Sequence, residues 1–267
     1  MGTVRSKDGT IIAFDAVGEG QPLIMVDGAT SHRAVNPLGA QVGELLRDGF
    51  RTYTYDRRGR GQSTDTAPYA TEREIEDLAA LIDDAGAPAM VCGASSGAAL
   101  ALDAAAAGLP INRLVLWEPP FIIDDSRPPV PPDYVQRLDD AIAKGRPGDA
   151  VEVFFTAAIG MPAEVVAGMR QSPFWPAVEE VAHTIAYDGR FVADTMAGKP
   201  LDKDRWATVD VPVLAMHGDG TEPWLMVGAR AVADLLPTAT LQVVKGENHG
   251  VEADVLAPVL RRFAESG

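Results

Sequence analysis

Ala89-Met90-Val91-Cys92-Gly93-Ala94-Ser95-Ser96-Gly97, followed by the alanine-rich run Ala98 to Ala107, decides how this chain folds. The apolar run predicts a strand, and the alanines predict a helix that starts almost at once. A strand feeding directly into a helix forces a sharp turn between them. Glycines permit backbone conformations and close contacts that a Cβ would block. Ser95 then stands on the turn with its hydroxyl exposed. The N–H of Ser96 and the positive end of the new helix point at any oxyanion that forms there. The Gly-x-Ser-x-Gly pentapeptide alone is a weak signal, because Gly, Ala and Ser are common. Its setting between strand and helix makes Ser95 a candidate nucleophile.

Working outward, strands and helices alternate. Ile11 to Val17 reads as an edge strand and Leu23 to Val26 as a short buried one. Gly39 to Asp48 reads as a helix and Phe50 to Tyr55 as a strand. Thr71 to Ala85 has the clearest helical pattern: Ile75, Leu78, Ala79 and Ile82 share a face, Thr71 and Glu74 fit a capping box, and Gly86 supplies the stop. Ile111 to Trp117, Val211 to Met216 and Thr238 to Val244 are further strands, and Val251 to Glu265 is a last helix. Between 122 and 205 no strong strand occurs. That stretch opens on a proline cluster (Pro128, Pro129, Pro131, Pro132) and continues in helical segments. Alternating βα units predict an α/β fold with a mainly parallel central sheet flanked by helices. The expected organisation is a core of 1–121 and 206–267 with a helical lid, 122–205, inserted over the strands' carboxyl ends, where ligands bind in open α/β sheets.

Composition narrows the function classes. With 38 acidic against 23 basic residues the net charge is −15, which argues against nucleic acid or an anionic membrane as partner. The single cysteine, Cys92, excludes an internal disulfide and reads as a buried, inert thiol in the strand before the turn. The polar stretch Met1 to Thr10 has no apolar signal-peptide core, and no apolar stretch is long enough to cross a membrane, so a cytoplasmic protein is the expectation. No pair of histidines has metal-ligand spacing with Cys or carboxylates, so no metal and no cofactor are expected. Nothing in the sequence separates a monomer from a homo-oligomer.

The chain resembles the α/β-hydrolase superfamily over essentially its whole length. Four landmarks carry the resemblance: Asp27-Gly28, the run Asp56-Arg57-Arg58-Gly59-Arg60-Gly61-Gln62-Ser63, the turn at Ser95, and His249. The resemblance implies that Ser95 is the nucleophile and His249, in the loop before the last helix, its base. It implies an oxyanion hole built from backbone N–H groups of Gly28 or Ala29 together with Ser96. Many relatives have His-Gly where this chain has Asp27-Gly28. Relatives usually carry an aspartate three residues after the glycine that ends the seventh strand, and here that position is Thr221. A threonine cannot hold a histidine tautomer by charge. Asp219 and Glu222 flank it as alternative acids. In some members, including lactonases that open the macrocycle of zearalenone, the acid ends the strand after the nucleophile; Glu118 matches that position and is the preferred acid. Those enzymes also share the Asp-Gly loop and the Ser-Ser-Gly turn.

Arg57 and Arg58 read as structural members of a turn, and His217 as a structural strand-end histidine. His183, on the lid, reads as structural or pocket-facing. Large apolar residues of the inserted stretch and its root supply the expected substrate pocket: Trp117, Phe121, Phe154, Met161, Phe174 and Trp175, with His32 from the loop after Gly28. The leading expectation is a serine-dependent hydrolase of a carboxylic ester or lactone bond in an apolar small molecule, acting through an acyl-enzyme. A C–C bond hydrolase or an elimination or rearrangement enzyme on the same scaffold stays open, as does a small-molecule receptor with little turnover. Dehalogenase and epoxide-hydrolase chemistry would need an aspartate in place of Ser95, and haloperoxidase chemistry ranks below ester hydrolysis.

Overall fold

The computed structural model describes residues 1–266. Eight strands form one sheet in the order β1-β2-β4-β3-β5-β6-β7-β8. They are β1 (Gly2–Arg5), β2 (Ile11–Val17), β3 (Glu19–Val26), β4 (Asp48–Tyr55), β5 (Ala89–Ala94), β6 (Ile111–Trp117), β7 (Val213–Gly218) and β8 (Ala239–Val244). β1 and β2 pair antiparallel, and β2 joins β4 antiparallel. Every pairing from β4 through β8 is parallel. The expected α/β sheet is therefore present, with one correction. Ile11–Val17 is not the edge, because the four-residue strand β1 covers it.

Period-two alternation builds two cores from the same strands. Leu23 and Met25 of β3, Met90 and Cys92 of β5, and Val115 and Trp117 of β6 face α1 (Leu38–Leu46) and α10 (Ala253–Glu265). Ile24, Val26, Val91, Leu114 and Leu116 face the other way, onto α2 (Thr71–Ala85), α3 (Ser96–Ala106) and α9 (Pro223–Leu235). Cys92 is buried, and burial pushes its thiol up to about 12, which fits an inert core residue.

α2 runs over the expected residues and stops at Gly86, whose left-handed backbone (φ 74°) lets its N–H close on Ile82 and Asp83. The capping box does not form. Ala70 is the N-cap, and the Glu74 carboxylate is taken by Arg57 and by the Tyr69 hydroxyl. A buried guanidinium outcompetes a backbone N–H for the same carboxylate, because a charged donor makes the stronger bond.

Between β6 and β7 the chain is helical: α4 (Tyr134–Ala143), α5 (Pro147–Val153), a π-helical turn (Phe154–Ile159), α6 (Ala163–Met169), α7 (Trp175–Glu180) and α8 (Ile185–Val192). α8 packs against α2 and α3. No helix among the described residues is long and apolar enough to cross a membrane.

Candidate active site

The parallel ladder continues past the strand ends and sets three residues in a row. Ala94 pairs with Trp117, and Trp117 with Met216. Beyond them the Ser95 N–H donates to Trp117 O at 2.9 Å, and the Glu118 N–H to Met216 O at 2.9 Å. Glu118 thus leaves β6 beside Ser95 on one side and the end of β7 on the other. Its carboxylate is fully buried. Oε1 accepts from the Gly218 N–H at 2.9 Å, and Oε2 accepts from the Thr221 hydroxyl at 2.9 Å. Oε2 also pairs with His249 Nδ1 at 2.7 Å. Trp117 holds the histidine loop from below, its indole N–H on His249 O at 2.9 Å. With Nδ1 on Glu118, the imidazole has Nε2 for the opposite direction. His249 and Ser95 line one cavity, without a direct hydrogen bond between the two side chains among the described contacts.

Ser95 has φ 54° and ψ −126°, and its hydroxyl is not spent on capping the helix it precedes. A Cβ on Gly97 would strike the Val26 and Asp27 carbonyls, so only glycine lets α3 start this close to β3. Gly28 packs against the nucleophile less tightly; a Cβ there would stand 3.0 Å from Ser95 Cβ. Ala29 and Ser96 line the cavity together with Ser95. The non-glycine residues with positive φ, among those described, are Thr30, Ser95 and Glu118. Left-handed backbone is unfavourable for any L-residue and more so for a β-branched one, and such strain clusters where function holds it. All three residues lie at this one edge of the sheet.

The cavity holds about 320 Å³. Its walls are mainly apolar: Tyr134, Phe154, Ile159, Met196, Trp224 and Leu225. Of the expected pocket residues, only Phe154 lines it. Trp117 and Phe121 are buried in the core, Phe121 stacked on Trp206. Trp175 is buried against Phe155 with its indole N–H on Glu179. Phe174 faces solvent, Met161 lines a separate surface groove, and His32 is buried behind the Asp27–Thr30 loop. The π-helical turn brings Phe154, Ala158 and Ile159 into the cavity, and Arg127 closes its carbonyls at Ala157 and Ala158. Single-turn π segments of this kind recur at functional sites.

The alternative acids are placed elsewhere. Asp219 accepts the Gly246 N–H at 2.6 Å and so pins the loop that leads to His249. Glu222 is the N-cap of α9 and lines the cavity without bonding the histidine. His217 is buried, with Nδ1 against Gly218 O. His183 lies against Asp65, away from the cavity. Arg57 and Arg58 are buried in bidentate pairs with Glu74 and Asp77, as a structural turn requires. Sequence reasoning missed Thr221 as the partner of Glu118, the strained Thr30, and Asp188 of α8, which reaches the cavity from the insertion. Only Thr221 left a signal, as the occupant of the usual acid position. Among the described residues no cluster of His, Cys, Asp and Glu is arranged to hold a metal ion.

A parallel sheet with a strained serine at a strand-to-helix turn, and a histidine and carboxylate at the same edge, defines an α/β-hydrolase fold. The sequence model of the alpha/beta hydrolase family matches residues 27–260, and the chain belongs to that family. It is similar to an alpha/beta hydrolase from Sphaerobacter thermophilus DSM 20745, with 49% identity, a TM-score of 0.89, and 98% of this chain and 100% of the other covered. The esterase EaEST from Exiguobacterium antarcticum shares the fold, with 20% identity, a TM-score of 0.74 and both chains fully covered. Among curated proteins, the non-heme chloroperoxidase CPO-A1 of Kitasatospora aureofaciens is 27% identical over 94% of this chain and 93% of its own length.

Proposed function

We propose that the chain is a serine hydrolase that cleaves a carboxylic ester or lactone bond in an apolar small molecule. The observation that carries this reading is the 2.7 Å bond between His249 Nδ1 and the buried Glu118, in a histidine that opens onto the same cavity as Ser95. Ser95 Oγ attacks the carbonyl carbon, and His249 Nε2 takes its proton. The oxyanion is held by the N–H of Ser96 with that of Ala29 or Gly28. His249 then protonates the leaving alcohol, and the acyl group stays on Ser95. Water, deprotonated by His249, releases the acid and restores the serine. Glu118 keeps the proton on Nδ1 and stabilises the imidazolium. These residues carry the whole cycle, and no cofactor enters it.

The apolar wall supports an uncharged acyl or ring substrate, and the α4–α8 insertion acts as its lid. The acid at the end of β6 supports the finer resemblance to zearalenone-type lactonases. The net charge of −15 supports a protein without nucleic-acid or anionic-membrane partners, and the cytoplasm is its proposed compartment. A second reading rests on the long match to a chloroperoxidase: halide oxidation by hydrogen peroxide at the same site.

The test combines turnover of p-nitrophenyl acetate with fluorophosphonate labelling. Ser95→Ala is expected to lose activity and label while keeping its fold. His249→Ala should fall nearly as far, since members of one catalytic unit are non-additive, and His217→Ala much less. A Ser95→Ala variant with more than a few per cent of wild-type turnover removes the serine mechanism. Tight ligand binding without turnover would favour a receptor. Cleavage of a β-diketone but of no ester would favour a C–C hydrolase, and halide-dependent oxidation without esterase activity would favour the chloroperoxidase reading.

A further inference from the structure

Four buried charges lie behind the Asp27–Thr30 loop. Arg57 and Arg60 come from the loop after β4, Glu74 from α2, and Asp188 from α8 of the insertion. Arg57 is bidentate to Glu74 at 2.7 and 2.8 Å. Asp188 joins the two arginines: Oδ1 accepts from Arg57 at 2.7 Å, and Oδ2 accepts from Arg60 Nη2. Burial works against the Asp188 charge, but the two guanidiniums outweigh it and hold the carboxyl below its usual value. Asp188 stands at the cavity wall beside Ser96.

The arginines spend their remaining donors on the loop that borders Ser95. Arg60 Nη1 donates to Gly28 O at 2.7 Å and to Ser31 O at 3.3 Å. Arg57 Nη1 reaches Asp27 O at 3.3 Å. In a trans peptide the carbonyl and the following N–H point in opposite directions. Fixing Gly28 O on Arg60 therefore aims the Ala29 N–H away from the arginine. Ala29 lines the cavity. Arg60 is itself fixed at its other edge: Nε donates to Thr184 Oγ1 at 3.0 Å. Thr184 and Asp188 both belong to the insertion, so two insertion residues hold the core arginine that orients the loop.

We propose that Thr184 and Asp188 are positioning residues that complete the oxyanion hole through Arg60 and the Gly28–Ala29 peptide, so that docking of the insertion and stabilisation of the oxyanion are coupled. This rests on the serine-hydrolase reading above. A purely structural role would lower stability and leave transition-state binding alone. The coupling acts on the transition state, because the donor it aims matters only once the oxyanion forms.

The experiment uses the full chain and Thr184→Val, which is isosteric and removes the hydroxyl that accepts from Arg60 and donates to Val181 O, leaving both arginine–carboxylate pairs in place. Thr184→Ser is the conservative rescue, and Asp188→Asn the stronger perturbation. Three quantities are read: kcat and KM for p-nitrophenyl acetate, the melting temperature, and the affinity of an aryl trifluoromethyl ketone against that of the matching alcohol. The ketone carbon accepts the Ser95 oxygen and its carbonyl oxygen becomes an oxyanion, whereas the alcohol forms none. Thr184→Val is expected to lower kcat five- to twentyfold with KM within twofold. Ketone affinity should fall by the same factor as kcat/KM, with the alcohol unchanged. Thr184→Ser should return kcat to within twofold of wild type, and a folded Asp188→Asn should lose at least a hundredfold. If Asp188→Asn does not fold, Thr184→Val decides. Wild-type kcat in Thr184→Val, or a fall in kcat without the matching fall in ketone affinity, overturns the coupling. If Ser95→Ala is inactive in the same assay, the hydrolase reading survives that failure; if Ser95→Ala is active, both fall.

Discussion

Replacing Glu118 by glutamine keeps the side-chain volume and removes one charge, and the consequence follows from the three bonds the carboxylate makes. Oε2 lies 2.7 Å from His249 Nδ1. At an effective dielectric near 20, opposite unit charges at that distance attract by about 6 kcal/mol. The imidazole is 47% exposed, so water screens it. Halving the attraction for that screening leaves about 3 kcal/mol, or about two decades in rate at 1.36 kcal/mol per decade. Loss of the acid in well-studied triads costs about four decades, which sets the upper bound. The amide adds a second conflict. If its oxygen faces His249 and Thr221, its NH₂ meets the Gly218 N–H, donor against donor. If it flips, the NH₂ meets the proton on Nδ1 and drives it to Nε2, the wrong tautomer for a base. A buried donor left unpaired costs about 1–3 kcal/mol, so the melting temperature should fall as well. Steady-state hydrolysis of p-nitrophenyl acetate should show kcat lower by two to four decades with little change in KM. Asp219→Asn and Glu222→Gln should each stay within about tenfold, since neither side chain bonds the histidine. A Glu118→Gln enzyme with more than a tenth of the wild-type kcat would refute the assignment. Collapse of Asp219→Asn in its place would put the acid on the β7 loop.

Thr221→Val removes one of the two bonds to Glu118 Oε2, and a hydrogen bond to a charged group contributes about 1.5–3 kcal/mol, so kcat should fall about tenfold or more while Thr221→Ser stays near wild type; equal rates in Val and Ser variants would make the threonine a bystander. Phe154→Ala should change the ratio of long-acyl to acetate turnover, because Phe154 lines the cavity, whereas Trp175→Ala should lower the melting temperature and treat all substrates alike; the opposite pattern, read in parallel kinetics and melts, would reverse the two roles. Burial raises the Asp27 carboxyl to about 6, against the opposing pull of Arg60 and Arg57. A folded value above the unfolded 3.8 favours the neutral form, so this contribution to stability is complete below 3.8 and is lost as pH rises through 6, by at most about 3 kcal/mol. Asp27→Asn cannot ionise, so its melting temperature should gain on wild type between pH 4 and 6 and hold that gain above; a pH-independent difference would contradict the argument.

What the sequence made legible was local. The turn at Ser95 is written in nine consecutive residues, and α2 in fifteen, because strand, turn and helix signals there depend on near neighbours. Glu118 was reachable because β5 and β6 are consecutive and parallel, which puts their ends side by side. Long-range pairing left no such trace. Arg57 meets Asp188 across 131 positions, and the carboxylate of Glu74, which reads locally as a cap, is diverted to the same arginine. The pocket aromatics failed for a related reason: an apolar residue on a short helix has one sequence signature whether it faces a core or a cavity. Trp175 and Phe154 differ only in which neighbour lies opposite.

The three strained residues explain why the site needs the whole sheet rather than any one of its motifs. Thr30, Ser95 and Glu118 hold positive φ on three separate loops, after β3, β5 and β6. Each such residue costs about 1–3 kcal/mol, and persists only where its surroundings over-determine it. For Ser95 the ladder bond to Trp117 O and the close approach of Gly28 and Gly97 do this. For Glu118 the ladder bond to Met216 O and the carboxylate's bonds to Gly218 and Thr221 do it. For Thr30 the neighbouring carbonyls of Gly28 and Ser31 are tied to Arg60, which in turn depends on Asp188 and Thr184. The first two constraints come from consecutive parallel strands, and the third comes from the insertion. A variant that loosens α8 should therefore relax the Asp27–Thr30 loop first and leave the Glu118–His249 pair intact. Backbone amide order parameters read that order directly: Asp188→Asn should lower them at Ala29 and Thr30, while the Gly218 amide held on Glu118 stays rigid. An equal fall at both places would mean that the edge loosens as one unit.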